Sequence, residues 1–261
     1  MGHLRIGRLP KTRRWNAVVD LLGAADVNAP TIARATVSAA EERLRDLADD
    51  PSLSYCFWLL TRITWAARGD NFAETLANLG IDVGPNDSTI GFISQVNDRA
   101  REVVGLFLES GHFSELATLS LRRALSETVG QQSLSLFGSS IEQLQEACRA
   151  YSARGQFGLL ARRFFGDFLA RTLRYLVARE LSNQVGPNRG LGTIGQSREF
   201  SQSLDLYARQ SARIMDEFAA GWYAKRNWEA RGEISEEDAS RFVAVALRKL
   251  RMELKGEGPP S

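Results

Sequence analysis

The segment from Phe157 to Leu181 constrains the fold more than any other part of the chain. When it is wound as a helix at about 100° per residue, Phe157, Phe164, Phe168 and Tyr175 fall within about 40° of one line. Neighbouring phenylalanine and leucine side chains widen this line into a broad apolar face. A helix so rich in aromatic residues needs a large hydrophobic surface to cover it. The segment therefore predicts the central helix of an all-α body.

Helical patterning extends along most of the remaining chain. Apolar residues recur at helical spacing, and glycines, prolines and capping residues separate the stretches. Outside the first residues, the chain has no alternating apolar pattern long enough to indicate a strand. We therefore predict an all-α fold, an irregular bundle of about eight to ten helices.

The predicted organisation has a basic arm at residues 1–13, a helical domain at 14–254 and a disordered tail at 255–261. Residues 81–87 and 183–195 are rich in turn-forming residues and are the clearest connections within the helical domain. The helices form either one irregular domain or two lobes hinged at one of these connections.

Local signals mark several helix ends. Ser139–Glu142 and Ser235–Asp238 have the pattern of capping boxes, in which a serine hydroxyl and a carboxylate each accept a terminal N–H. A proline at position 30 opens a helix that we predict to continue to about residue 48. We also predict uninterrupted helices over residues 112–132 and 196–231.

The charge balance constrains function only weakly. The net charge is +2, so the chain lacks the overall field that marks many nucleic-acid and membrane binders. Arginine supplies 29 of the 33 basic residues, and planar guanidinium groups suit phosphate and carboxylate recognition. A GC-rich coding genome, as in many bacteria, produces the same bias without any functional meaning.

Residue types that carry out catalysis are few and scattered. Cys56 and Cys148 lie in separate helical patterns, which is typical of buried thiols in a reducing cytosol. Acid–base catalysis most often uses His, and metal sites usually need several ligands. The chain has only His3 and His112, which are far apart in sequence. We predict no catalytic residue, no metal site and no cofactor. The chain also lacks an apolar run long enough to cross a membrane.

The basic arm is one candidate binding element. Its cations, without a nearby acid, can neutralise several phosphates, and the tryptophan that follows them can stack on a base. The same arm can dock into a partner subunit through three interspersed apolar residues, Leu4, Ile6 and Leu9, or carry its charge incidentally. The candidate residues for nucleic-acid or partner binding are Arg5, Arg8, Lys11, Arg13, Arg14 and Trp15.

A glycine-rich loop is a second candidate. Gly190, Gly192 and Gly195 match the spacing GxGxxG of dinucleotide-binding loops. A helix rather than a strand precedes them, so the pattern does not indicate a dinucleotide fold. Loop amides and the following helix N-terminus can still bind a phosphate, helped by Arg189 and Arg198, or the loop is a flexible hinge.

Two groups of side chains within helices have both a structural and a binding interpretation. On the central helix, Arg163, Asp167 and Arg174 share a narrow polar strip, where Asp167 can pair with Arg163 or Arg171. If this strip lines a groove, its arginines can meet an acidic partner. The second group either packs as a seam against the segment Phe157–Leu181 or forms a stacking platform beside cations. Its members are Phe218, Trp222, Tyr223 and Trp228.

These features favour a non-enzymatic helical adaptor, or accessory subunit of a larger assembly, that contacts other proteins in the cytoplasm. The alternative is a nucleic-acid-binding accessory protein that uses the arm and the arginine-bearing helices. A second alternative is binding of a phosphorylated small molecule at Gly190–Gly195. The sequence leaves the partner and any homo-oligomer open.

Overall fold

The protein is almost entirely helical in the part of the chain that the structure describes. This computed structural model describes residues 12–24, 28–84, 87–107, 113–132, 140–186, 191, 193–229 and 234–256. Of these residues 84% are helical. They contain no strand, and only Val185 and Leu191 form an isolated β-bridge. The all-α prediction is confirmed.

Thirteen α-helices lie within the described residues, and ten of them have at least ten residues. Two short 3₁₀ turns, Leu47–Asp49 and Ala212–Ile214, interrupt the helical path. The α-helices are α1 (Arg13–Leu22), α2 (Ala29–Ala39), α3 (Glu41–Asp46), α4 (Pro51–Ala66), α5 (Phe72–Asn78), α6 (Thr89–Gly105), α7 (Ser114–Glu127), α8 (Val129–Gln132), α9 (Ile141–Ala150), α10 (Arg154–Asn183), α11 (Ile194–Ser211), α12 (Met215–Glu229) and α13 (Glu236–Lys255).

Helix α10 contains the whole aromatic segment and is the central helix of the described residues. It packs most extensively against α7, α11 and α12, which lie along different sides of it. Because these neighbours surround it, nearly all of its middle turns are buried, including the entire stretch 164–170. The prediction of a central aromatic helix is therefore confirmed.

An aromatic cluster joins α10 to two other helices, α4 and α13. Phe57 of α4 contacts Phe157, Phe164 and Phe165, with ring centroids 5.3–6.2 Å apart. Phe57 also stacks on Phe242 of α13 at 4.9 Å. Aromatic pairs at these separations add stabilisation beyond the apolar area that they bury. The cluster therefore fixes how α4 and α13 sit on the central helix.

A glycine allows α10 and α12 to approach closely. A Cβ atom at Gly158 would lie only 2.1 Å from the carbonyl oxygen of Asp216. Gly158 lies inside α10, and its missing side chain makes room for the α12 backbone. One turn further along this interface, Tyr223 stacks on Phe157 at 3.7 Å, and its hydroxyl lies 3.1 Å from Thr64 Oγ1.

Three predicted continuous helices are interrupted. The segment 30–48 divides at Ala40, the segment 112–132 divides at Thr128, and the segment 196–231 divides at Ala212–Ile214. The Thr128 hydroxyl donates to the carbonyl of Ala124 at 2.6 Å, and such bonds bend helices. At the third break, Ala212 Cβ lies 3.3 Å from a Cβ built on Gly166, so the turn packs tightly on α10.

Helix caps follow the predicted residue types with one shift of register. The capping box of α9 uses Ser140 and Gln143, whereas the sequence analysis placed it at Ser139–Glu142, and Ser139 lies outside the described residues. The box in Ser140–Gln143 forms because the helix starts at Ile141, one residue later than the pattern indicated. At Ser235–Asp238 the structure shows the serine half of the predicted box, because the Ser235 hydroxyl accepts from the N–H of Asp238 at 3.1 Å.

The described part of the connection at 81–87 begins with a tightly closed helix end. Gly80 has φ +76°, a left-handed conformation that glycine adopts without steric cost. Its N–H donates to Ala77 at 2.8 Å, and the N–H of Ile81 donates to Leu76 at 3.0 Å. This pair of bonds is a Schellman motif, and it buries Ile81 completely.

None of the helices in the described ranges is long and apolar enough to cross a lipid bilayer.

Candidate interaction site

The basic arm falls mostly outside the described residues. Arg5, Arg8 and Lys11 lie there. Arg13 and Arg14 form the exposed first turn of α1, and Arg14 lies 3.6 Å from Glu41 and donates to the carbonyl of Ser38. The two described cations of this element therefore face solvent, although one of them is engaged in a contact within the chain.

Trp15 points in the opposite direction. Its side chain is 4% exposed and belongs to the hydrophobic core, beside Val18 and Leu22 of the same helix. The N-terminal cap of α1 holds it there, because the Thr12 hydroxyl accepts from the N–H of Trp15. The ring serves as a packing anchor for α1, and a base could stack on it only if this helix left the core.

The glycine-rich loop is described only in part. Arg189, Gly190 and Gly192 lie outside the described residues, whereas Gly195 is the second residue of α11 and Arg198 is exposed one turn later. Thr193 caps α11 and forms a reciprocal capping box with Gln196, with both bonds at 3.2 Å.

This cap bears directly on phosphate binding at the loop. The N–H of Gln196 already donates to Thr193, so an anion at this helix end would have to displace that bond. On the other side, buried Leu191 donates to Gln184 at 3.0 Å and accepts from Gly186 at 2.8 Å. The described part of this connection is thus attached to the end of α10.

The polar strip of α10 opens into a larger charged site between α7 and α11. Helix packing brings five arginines from three helices onto three carboxylates, and we call this set the arginine groove. All five guanidinium side chains are partly exposed, between 21% and 45%. Its members are Arg123, Glu127, Arg163, Asp167, Arg171, Arg174, Asp205 and Arg209.

Asp167 forms the floor of the arginine groove and is 1% exposed. Its carboxylate accepts from Arg171 at 2.5 Å, from Arg209 at 2.9 Å and from the Ser120 hydroxyl at 3.2 Å. Arg123 approaches the same carboxylate to 3.4 Å. The predicted pairing with Arg171 is present, and the other partners come from α7 and α11. A buried carboxylate needs several such donors, because its desolvation is costly.

Glu127 lies above Asp167 and joins the walls of the groove. Arg123 donates to it at 2.6 Å, and Arg163 and Arg209 approach it to 3.5 and 3.8 Å. Arg163 therefore pairs with Glu127, rather than with Asp167 as its spacing on α10 allows.

Asp205 marks the far end of the groove, where Arg174 lies 2.8 Å from it. Burial raises the pKa of Asp205 above its ordinary value, against the lowering effects of Arg174 and Arg209. The arginine groove as a whole holds five cations and three carboxylates, so its charge is positive even though every acid is paired.

The aromatic residues of α12 divide into two groups. Phe218 stacks on Phe242 at 5.0 Å, Trp222 lies 4.4 Å from the same ring, and Tyr223 is buried against α10. Tyr223 therefore lies in the predicted packing seam against α10, whereas Phe218 and Trp222 pack on Phe242 of α13 instead. Trp228, in contrast, is 87% exposed near the end of the helix.

Metal ligands and reactive thiols were two further kinds of site that the sequence raised. The described residues contain no group of three or more histidine, cysteine, aspartate or glutamate side chains that could hold a metal ion. Cys56 and Cys148 are unpaired and fully buried, and burial raises the pKa of both thiols. Neither thiol is therefore a nucleophile at neutral pH in the native fold.

Comparison with known proteins returns no relative. No protein-family model matches the chain, and no curated protein and no solved structure is similar to it. Helical spacing identifies the groove residues that lie on α10. It does not identify Arg123, Glu127, Asp205 or Arg209, because only the packing of α7 and α11 brings these to the strip.

Proposed function

We propose that the protein is a non-enzymatic helical adaptor, or accessory subunit, that acts by binding other proteins. The observation that carries the proposal is the exposure of Trp228 on a helix whose other aromatic side chains are packed. Exposing a whole indole ring to water forgoes a large hydrophobic gain, and tryptophan is the residue most enriched among anchors of protein interfaces.

The surroundings of Trp228 support the same proposal. Lys225 and Glu229 form an exposed ion pair one turn apart, and Arg226 bridges to Asp238 at the start of α13. An exposed aromatic side chain with charged residues close to it on the same helix has the composition of an interface centre and its rim. A cytoplasmic location fits the two unpaired cysteines.

The test begins with the protein purified at native level from its own cells, with and without nuclease. We expect stoichiometric protein partners that survive nuclease treatment. The purified partner is then titrated against the parent, Trp228→Ala and the control Leu106→Ala, which removes another strongly exposed apolar side chain. Loss of a tryptophan anchor weakens binding about thirtyfold, and the control leaves it within about twofold.

Two results would overturn the proposal. If the partners disappear with nuclease, the protein is a nucleic-acid-binding accessory protein, which is the alternative that the basic arm suggests. If Trp228→Ala and Leu106→Ala bind alike, the exposed indole is not the anchor and the observation that carries the adaptor function is lost.

A further inference from the structure

We propose that the arginine groove is a docking site for an acidic segment of a partner protein. This inference rests on the proposed adaptor function and adds the chemistry of the partner. The groove offers five guanidinium groups on a surface where α7, α10 and α11 meet. These five positive charges outnumber the three negative charges of its own carboxylates.

The paired arginines keep free capacity for a ligand. Each guanidinium group has five N–H donors in a planar fork. Arg163 and Arg174 each make one ion pair among the described residues, with Glu127 and Asp205, and both side chains remain more than 40% exposed. These two arginines therefore present further donors outward, whereas Arg171 and Arg209 are committed to the buried Asp167.

The internal ion pairs also prepare the groove for binding. Glu127 and Asp205 hold the guanidinium groups of Arg163 and Arg174 in place before any ligand arrives. Side chains that are already ordered lose less conformational entropy when they bind. A smaller part of the attraction to a carboxylate is therefore cancelled by this entropy loss. Planar forks match planar carboxylates through two parallel hydrogen bonds.

The two outer acids favour a polypeptide over a nucleic acid. Glu127 and Asp205 are each about a quarter exposed, so negative charge interrupts the row of arginines. A nucleic-acid strand carries a charge at every nucleotide and would be repelled where it passes these acids. A peptide can place acidic side chains opposite Arg163 and Arg174 and neutral ones opposite Glu127 and Asp205.

The direct experiment measures binding of a fluorescein-labelled peptide that alternates glutamate with neutral residues. Fluorescence anisotropy with the full-length protein should show saturable binding that weakens as salt is added. The double variant Arg163→Gln/Arg174→Gln should bind about tenfold more weakly, because two partly exposed charge contacts are lost. Arg122→Gln is the matched control, because it removes an exposed arginine of α7 that lies next to the groove residue Arg123.

Folding is controlled within the same series. Glu127 retains Arg123 and Arg209 in the double variant, and Asp205 retains the nearby charge of Arg209, so the variant should keep the parent's circular dichroism and urea midpoint. Arg163→Lys/Arg174→Lys keeps the charge but removes the forks, and intermediate binding supports recognition by planar geometry.

Several outcomes would overturn the inference. Absence of peptide binding, equal loss in the Arg122→Gln control, or tighter binding of a single-stranded oligonucleotide of the same charge each refutes it. The adaptor function is judged separately with the purified partner. A partner that responds to Trp228→Ala but not to the arginine double variant leaves that function intact and removes the acidic docking site.

Discussion

Replacing Gly158 by alanine should separate the two most extensively packed helices of the described structure. A Cβ at this position would lie 2.1 Å from the Asp216 carbonyl oxygen and 3.1 Å from Ala220 Cβ. Since Cβ atoms do not occur closer than 3.0 Å to such atoms, α10 and α12 must move apart by about 1 Å. The obstacle is backbone, so no rotamer change can relieve it.

The expected magnitude follows from two opposing terms. Overpacking of this kind costs about 3 kcal/mol at the upper end of its range, and alanine returns about 1 kcal/mol through its higher helix propensity. We expect Gly158→Ala to lower the free energy of unfolding by about 2 kcal/mol. The loss should exceed this value if Tyr223, which stacks on Phe157 across the same interface, is also displaced.

Gly221→Ala is the matched control. Gly221 lies inside α12, and apart from its chain neighbours and the local backbone of its own helix, no described atom comes within 4 Å of a Cβ built there. This change should raise the free energy of unfolding by up to about 1 kcal/mol. Urea unfolding followed by far-UV circular dichroism measures both variants. The reasoning fails if Gly158→Ala is as stable as the parent, or if the two variants change in the same direction.

Three further predictions concern the charged and reactive groups. Asp167→Ala should lower the free energy of unfolding by about 2–3 kcal/mol, because it leaves Arg171, Arg209 and Ser120 without their shared acceptor. The control Glu102→Ala removes an exposed pair with Arg99 and should change the free energy of unfolding by less than about 0.5 kcal/mol. Similar losses for the two variants in urea unfolding would contradict this account. Asp205 has a raised pKa in the fold, so the native state keeps the Asp205 proton to higher pH than the unfolded chain does. The stability that this proton contributes is greatest below the ordinary pKa of aspartate and is lost as pH rises through the raised pKa. Asp205→Asn should therefore weaken the fall in stability over that interval, which urea midpoints at a series of pH values would detect; an unchanged profile would argue against it. Cys56 and Cys148 should not react with a thiol reagent in the native protein and should both react in denaturant, because they are fully buried with raised pKa values; rapid labelling of the native protein would show that a thiol is accessible.

The sequence alone determines the helical class and the central helix of this protein. The spacing of Phe157, Phe164 and Phe168 is a local property of the chain, and only one regular structure puts these side chains on one face. Gly80 and Ser235 mark helix ends for a similarly local reason, since a left-handed residue and a capping hydroxyl act on their own helix. Such features need no knowledge of which helices become neighbours.

Only the tertiary structure decides where these helices break and which charges meet. The interruption at Ala212–Ile214 packs against Gly166 of another helix, so the local sequence of 196–231 does not reveal it. Asp167 acquires Arg209, a residue 42 positions away, whereas helical spacing indicated only neighbours on α10. Long-range packing of α7 and α11 against α10 creates the arginine groove, because contact between distant residues depends on the positions of whole helices and not on periodicity within one.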